Sequence, residues 1–138
     1  MASYPVKGKI AMVTGAARGI GFGTAQELTK RGATVVVVDL DQTAADEAAE
    51  RLGPDAMGIA CDVTDQGAMR AAVAATVERY GRLDIVMANA GIASRAATVN
   101  AALPEIIRNK GHVVVVASVY AFVNGVGTAP YAMAKAGV

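Results

Sequence analysis

The sequence predicts an α/β fold built on a doubly wound parallel sheet, and three observations predict it. Short β-branched runs alternate with Ala-rich segments at helical spacing along the whole chain. Those runs are continuously apolar, as strands covered on both faces are, and do not alternate as half-exposed strands do. The strand and helix signals repeat without a break, which points to right-handed crossovers between parallel neighbours.

Each element has its own signal. Strands are expected over residues 10–13, 34–38, 59–60, 85–88 and 113–117, all β-branched or otherwise apolar. A first helix is expected over 20–31, with Gly32 at its C-terminal end. A second is expected over 43–52, with Asp41 as N-cap and Gly53-Pro54 as the stop. The third begins at the capping residue Asp65, runs to Tyr80 and ends at Gly81. Met69, Val73 and Val77 recur at every fourth residue there and define its buried stripe. A shorter fourth helix over 101–109, roughly 14 Å long at about 1.5 Å per residue, joins the fourth and fifth strands. Thr98-Val99-Asn100 reads as a junction ahead of it. The chain carries no repeat, low-complexity tract or linker, so residues 1–138 read as a single domain.

Composition excludes several classes. With 13 Lys+Arg against 12 Asp+Glu the formal charge is +1, which argues against a nucleic-acid partner. The single cysteine, Cys61, excludes an intrachain disulfide framework and fits a reducing compartment. The longest nearly unbroken apolar run, residues 113–123, falls short of the roughly 20 residues that span a bilayer. The first seven residues contain no apolar core of a secretory signal. A cytoplasmic protein without membrane or metal partners is expected.

Directly after the first strand comes Thr14-Gly15-Ala16-Ala17-Arg18-Gly19-Ile20-Gly21, and a helix follows. One glycine lets the chain turn sharply, another lets bare backbone approach a pyrophosphate, and the last permits close helix–strand packing. The helix then aims its free amides and positive dipole end at the anion. Gly15, Arg18, Gly19, Ile20 and Gly21 are accordingly expected to bind a cofactor. The second strand ends in Asp39, whose carboxylate can accept hydrogen bonds from both hydroxyls of an adenosine ribose and would repel a 2′-phosphate. NAD is therefore expected over NADP, although Arg18 in the loop is a group that could meet a 2′-phosphate. After the third strand, Asp62 is placed to accept from the adenine amino group and Val63 to offer an apolar wall. Cys61 reads as a small buried hydrophobe rather than a nucleophile. The lone His112, beside Gly111, reads as a solvated turn residue without a partner.

A more specific signal is Tyr131-Ala132-Met133-Ala134-Lys135. Taken with Thr14-Gly15-x3-Gly19-x-Gly21, Asn89-Ala90-Gly91 and Ser118, it resembles the short-chain dehydrogenase/reductase family, with four motifs in order over essentially the whole chain. The resemblance implies a Rossmann-type sheet and hydride transfer between nicotinamide C4 and an alcohol or carbonyl carbon. It implies Tyr131 as acid/base, Lys135 one turn on as the charge that favours phenolate and as a ribose ligand, and Ser118 as the group that orients the substrate oxygen. Asn89, Ala90 and Gly91 would contact the ribose through their backbone. Residues 119–123 suggest an apolar approach, hence an apolar alcohol or ketone. Family members commonly pair through helices, so a homodimer or homotetramer is expected.

The chain also departs from the family pattern. It stops three residues after Lys135, and the stretch between Gly91 and His112 is short, so the fold is expected to be incomplete, with a shortened fourth helix and the C-terminal third or more missing. A genuinely shortened protein or fragment competes with joined pieces of a longer chain, and the stop inside a helix favours the second. Asn100 has the residue type of the family's relay asparagine, but its spacing to His112 leaves it unassigned. The alternatives to an active oxidoreductase are an inert dinucleotide-binding remnant and, remotely, a methyltransferase, for which Ser118, Tyr131 and Lys135 would have no role.

Overall fold

The computed structural model describes residues 4–90 and 95–116. Five strands form one parallel sheet: β1 (Ile10–Thr14), β2 (Thr34–Asp39), β3 (Met57–Ala60), β4 (Ile85–Ala88) and β5 (His112–Val115). Their order across the sheet is β3-β2-β1-β4-β5. The helices α1 (Gly19–Lys30), α2 (Gln42–Leu52), α3 (Gln66–Tyr80) and α4 (Arg95–Arg108) are the crossovers. This is the doubly wound, Rossmann-type arrangement the sequence predicts, with β1 at the point where the chain reverses its direction of winding.

The apolar strands β1, β2 and β4 have both faces covered, whereas the edge strands β3 and β5 stay partly exposed. Met12, Val36, Val38 and Val86 pack on one face with Met69, Val73, Ala102 and Ile106 from α3 and α4. Ala11, Val13, Val35, Val37 and Met87 pack on the other with Phe22, Ala25, Ala45 and Ala48 from α1 and α2. Successive strand residues thus feed opposite cores, which is why no polar residue stands between Ile10 and Val13 or between Val35 and Val38.

The predicted caps stand where the sequence placed them. Asp41 accepts from the Ala44 amide at 3.1 Å, and Asp65 accepts from the amides of Gly67 and Ala68 at 2.7 and 3.1 Å. Gly81 ends α3 in the left-handed region at φ 76°. Gly32, at φ 87°, closes α1 through hydrogen bonds from its own amide to Thr29 and from the Ala33 amide to Leu28.

Three expectations need correction. β3 starts two residues earlier than predicted, at Met57. The fourth helix begins at Arg95, so Thr98-Val99-Asn100 lies inside it and is not a junction. Thr98, Ala102 and Ile106 are buried at four-residue intervals, the stripe that packs this helix on α3 and the sheet. Its 14 residues span roughly 21 Å at about 1.5 Å each, half as long again as expected. His112 is the first residue of β5 rather than a turn residue, and its ring packs on that of Tyr4, centroids 3.8 Å apart.

Candidate functional site

The ends of β1 and β4 are adjacent at the winding reversal, and the residues just past them build the site. Thr14, the buried last residue of β1, uses its Oγ1 to accept from the amides of Asn89 and Ala90 at 3.1 and 3.2 Å. The Asn89 carboxamide returns the contact, its Nδ2 donating to the carbonyl oxygens of Thr14 at 3.0 Å and Gly15 at 3.2 Å. The β1–β4 ladder ends at Val13 and Met87, so these side chains carry the pairing beyond it and fix the glycine loop. The structural role of the Thr14 hydroxyl is one that local patterning does not reveal.

The three glycines of the loop act differently. Gly15 has φ +65°, and a Cβ there would lie 3.1 Å from Ala90 Cα. Gly19 has φ +60°, and a Cβ on it would meet no chain atom within 4 Å. Its glycine is therefore required by conformation, and its backbone is open. A Cβ on Gly21 would collide with the Gly15 carbonyl oxygen and lie 2.7 Å from Asn89 Nδ2. Arg18, the N-cap of α1, is extended and supplies no side-chain cap, and no carboxylate stands in the first turn. The first amides of α1 are thus left for an anion, whereas α2 and α3 each spend an aspartate on theirs.

Beside this loop lies a cleft of about 330 Å³ that brings together Gly15, Arg18, Asp39, Asp62, Val63 and Ala90, all singled out from the sequence. Leu40, Cys61 and Thr64 complete its lining. Leu40, 72% exposed, had no sequence signal beyond following Asp39. The Asp39 carboxylate accepts from the Ala17 amide at 3.0 Å and the Leu40 amide at 2.8 Å, so it is pinned between the glycine loop and its own turn. Asp62 accepts from the Thr64 hydroxyl at 2.7 Å and amide at 2.8 Å, and these bonds hold it below the usual carboxylate range. Burial pushes the Cys61 thiol up, with Asp62 and Asp65 adding to the effect, which fits a packing residue and not a nucleophile. Ile20 is 71% exposed on the first turn of α1, and Gly19, Gly21 and Asn89 shape the loop without lining the cleft.

Open backbone at Gly19, an uncapped helix start and a pinned carboxylate in the neighbouring cleft fit a pyrophosphate-bearing dinucleotide. Gly91, Ser118, Tyr131 and Lys135 lie outside the described residues. Asn100 is exposed on α4, and Pro104 in the same helix lacks the amide that the Asn100 carbonyl would otherwise accept from. Among the described residues no group of three or more His, Cys, Asp or Glu is placed to hold a metal. Among them, too, no helix is long and apolar enough to cross a membrane.

Fold and cleft together define a Rossmann-type protein with a crevice beside its glycine loop. A family model for short chain dehydrogenases matches residues 9–100. The chain belongs to that family. It is 44% identical over 90 residues to (+)-borneol dehydrogenase 1 of Salvia officinalis, covering 65% of this chain and 35% of that protein. It is 45% identical over 105 residues to cyclohexanol dehydrogenase of Rhodococcus sp. (strain TK6), covering 64% and 38%. Among solved structures, a short chain dehydrogenase from Mycobacterium smegmatis superposes with a TM-score of 0.90 at 31% identity, covering 97% of this chain and 68% of that one. A short chain dehydrogenase/reductase from Burkholderia phymatum, in complex with NAD, shares the fold with a TM-score of 0.91 at 22% identity, covering 97% and 57%. The match to the curated relatives spans about a third of their length.

Proposed function

We propose that the protein is an NAD(H)-dependent oxidoreductase acting on an alcohol or its carbonyl counterpart, with residues 1–138 forming one dinucleotide-binding unit. The observation that carries this reading is the Asp39 carboxylate, pinned by two amides at the cleft facing Asp62 and Val63. Each of its oxygens accepts one amide and keeps a second lone pair for a ribose hydroxyl. Its charge disfavours a 2′-phosphate, and this repulsion outweighs the attraction of Arg18 on the same cleft. Gly19 and the first turn of α1 would hold the pyrophosphate, and Val63 would wall the adenine. The amides of Asn89 and Ala90 are taken by Thr14, so their contact with a ribose falls to carbonyl oxygens, with Gly91 beside them.

The nicotinamide, when bound, supplies the hydride acceptor. The family resemblance assigns the proton to Tyr131, whose phenol, with an ordinary pKa of about 10, needs a nearby positive charge to act near neutrality. Lys135, four residues on, is the side chain for that task, and Ser118 would orient the substrate oxygen. The relatives named as borneol and cyclohexanol dehydrogenases support an alcohol substrate, and the apolar residues 119–123 favour an apolar one. A cytoplasmic homodimer or homotetramer goes with this reading.

The test is NADH binding and alcohol-dependent NAD reduction by the full chain, alongside Tyr131→Phe. The expected result is turnover by the unmutated protein, lost in Tyr131→Phe while NADH binding persists. Full activity of the variant, or preference for S-adenosylmethionine over NADH, overturns the reading. NADH binding with no turnover across a panel of alcohols would leave a dinucleotide-holding protein in its place.

A further inference from the structure

We infer that Gln42 is a positioning residue that sets the separation of the two walls at the adenosine end of the cleft, an inference that rests on the dinucleotide reading above. Gln42 opens α2, immediately after the Asp39-Leu40-Asp41 turn. Its carboxamide Oε1 accepts from the Ala60 amide at 2.8 Å, and its Nε2 donates to Asp46 Oδ1 at 2.8 Å and to the Gly58 carbonyl at 3.3 Å.

The placement of these partners gives the carboxamide its meaning. β3 is the outermost strand of the sheet, and it pairs with β2 through Val38↔Ile59 and Asp39↔Ala60. One residue further on, the Cys61 amide donates to the Asp39 carbonyl at 2.8 Å. Neighbouring amides of a strand point to opposite sides, so the Ala60 amide and the Gly58 carbonyl face away from β2, onto the open edge. Gln42 occupies that edge as a missing strand would, accepting from one residue and donating to the other.

The side chain therefore joins two of the segments that line the cleft. Asp39 and Leu40 run directly into Gln42, and Ala60 runs directly into Cys61-Asp62-Val63. The seat is rigid as well: a Cβ on Gly58 would fall 2.6 Å from the Ala45 carbonyl carbon and 2.7 Å from the Asp46 amide nitrogen, so α2 rests directly on β3. Gln42 itself is exposed and does not line the cleft. It acts through the walls and not by touching a ligand. Removing it leaves the Cys61–Asp39 bond as the tie just beyond the ladder and frees the β3 end to shift.

The experiment compares the full chain with Gln42→Ala and Gln42→Met, the second keeping side-chain volume and helix propensity while removing all three hydrogen bonds. Calorimetric titrations use ADP-ribose, which carries the adenosine half, and reduced nicotinamide mononucleotide, which lacks it, well below the melting temperature of each variant. The expected result is an ADP-ribose Kd raised about tenfold in each folded variant, with the mononucleotide Kd changed less than twofold. A lowered melting temperature with an unchanged ADP-ribose Kd, or equal losses for both ligands, overturns the inference, because a merely structural role would produce one or the other. Failure of the unmutated chain to bind ADP-ribose or NADH overturns the dinucleotide reading itself, a result visible before any variant is made.

Discussion

Two glycines two residues apart in α1 should respond differently to alanine, one losing stability and the other losing none. At Gly21 the added methyl collides with the Gly15 carbonyl oxygen and lies 2.7 Å from Asn89 Nδ2 and 3.0 Å from Ala16 Cα. None of these atoms is the free end of a flexible chain: two are backbone, and the third is an amide held by two hydrogen bonds to Thr14 and Gly15. Forcing a methyl into such a contact costs about 1–3 kcal/mol, and losing one Asn89 bond about 1 kcal/mol more. The helix propensity of alanine returns about 1 kcal/mol. The net expectation is a destabilisation of about 1–3 kcal/mol, or roughly 4–12 °C in melting temperature at about 4 °C per kcal/mol. At Gly23 a Cβ meets nothing within 4 Å, so only the propensity term acts and Gly23→Ala should be neutral or stabilising by up to about 1 kcal/mol. Thermal melts and urea titrations of both variants by circular dichroism read this directly. Equal melting temperatures for the two variants would refute the claim that Gly21 is required by close packing of the helix on the loop.

Three other outcomes are expected. Asp39→Ala should weaken NADH binding and relax discrimination against NADPH, read by fluorescence titration of both cofactors. Burial pushes the Asp84 carboxyl up, but hydrogen bonds from Arg82 and the Ile10 amide, with the charges of Arg82 and Lys9, outweigh it and hold the group below the ordinary carboxylate range. Its folded pKa thus lies below its unfolded one, so its contribution is complete above about pH 4 and is lost as pH falls through the folded value. Asp84→Asn should lower stability at pH 7 and flatten the acid limb of the stability curve, as measured by urea midpoints against pH. Cys61, buried and with its thiol pushed up, should react with a disulfide reagent at neutral pH far more slowly in the folded chain than in the urea-unfolded one.

Much of this architecture is legible residue by residue because it depends on local chemistry. Asp41 and Asp65 are capping residues wherever they stand ahead of a helical stripe, and the Val35–Val38 run leaves no polar face for a solvated sheet. The glycine loop declares its need for positive φ and close approach in its composition. What escaped the sequence is held by distant partners. The Asp84 carboxylate meets the Ile10 amide across 74 residues, and no periodicity announces that pairing. Asn89 looks like a ribose contact at a strand end, yet its carboxamide faces inward to the carbonyls of Thr14 and Gly15. The start of α4 is hidden because Thr98 and Val99 are β-branched, whereas burial of Thr98, Ala102 and Ile106 outweighs their low helix propensity. The partner of His112 was hidden for the same reason as Asp84's: Tyr4 lies at the other end of the chain.

The account rests on the cleft between the Asp39 turn and the Asp62–Val63 wall holding an adenosine ribose with both hydroxyls free. Calorimetric titration of the unmutated full chain with NADH and with NADPH measures this most directly. A clearly lower Kd for NADH is the result predicted by the carboxylate at the end of β2. Equal affinities, or tighter binding of NADPH, would mean that Arg18 governs the ribose end and that Asp39 does not read it.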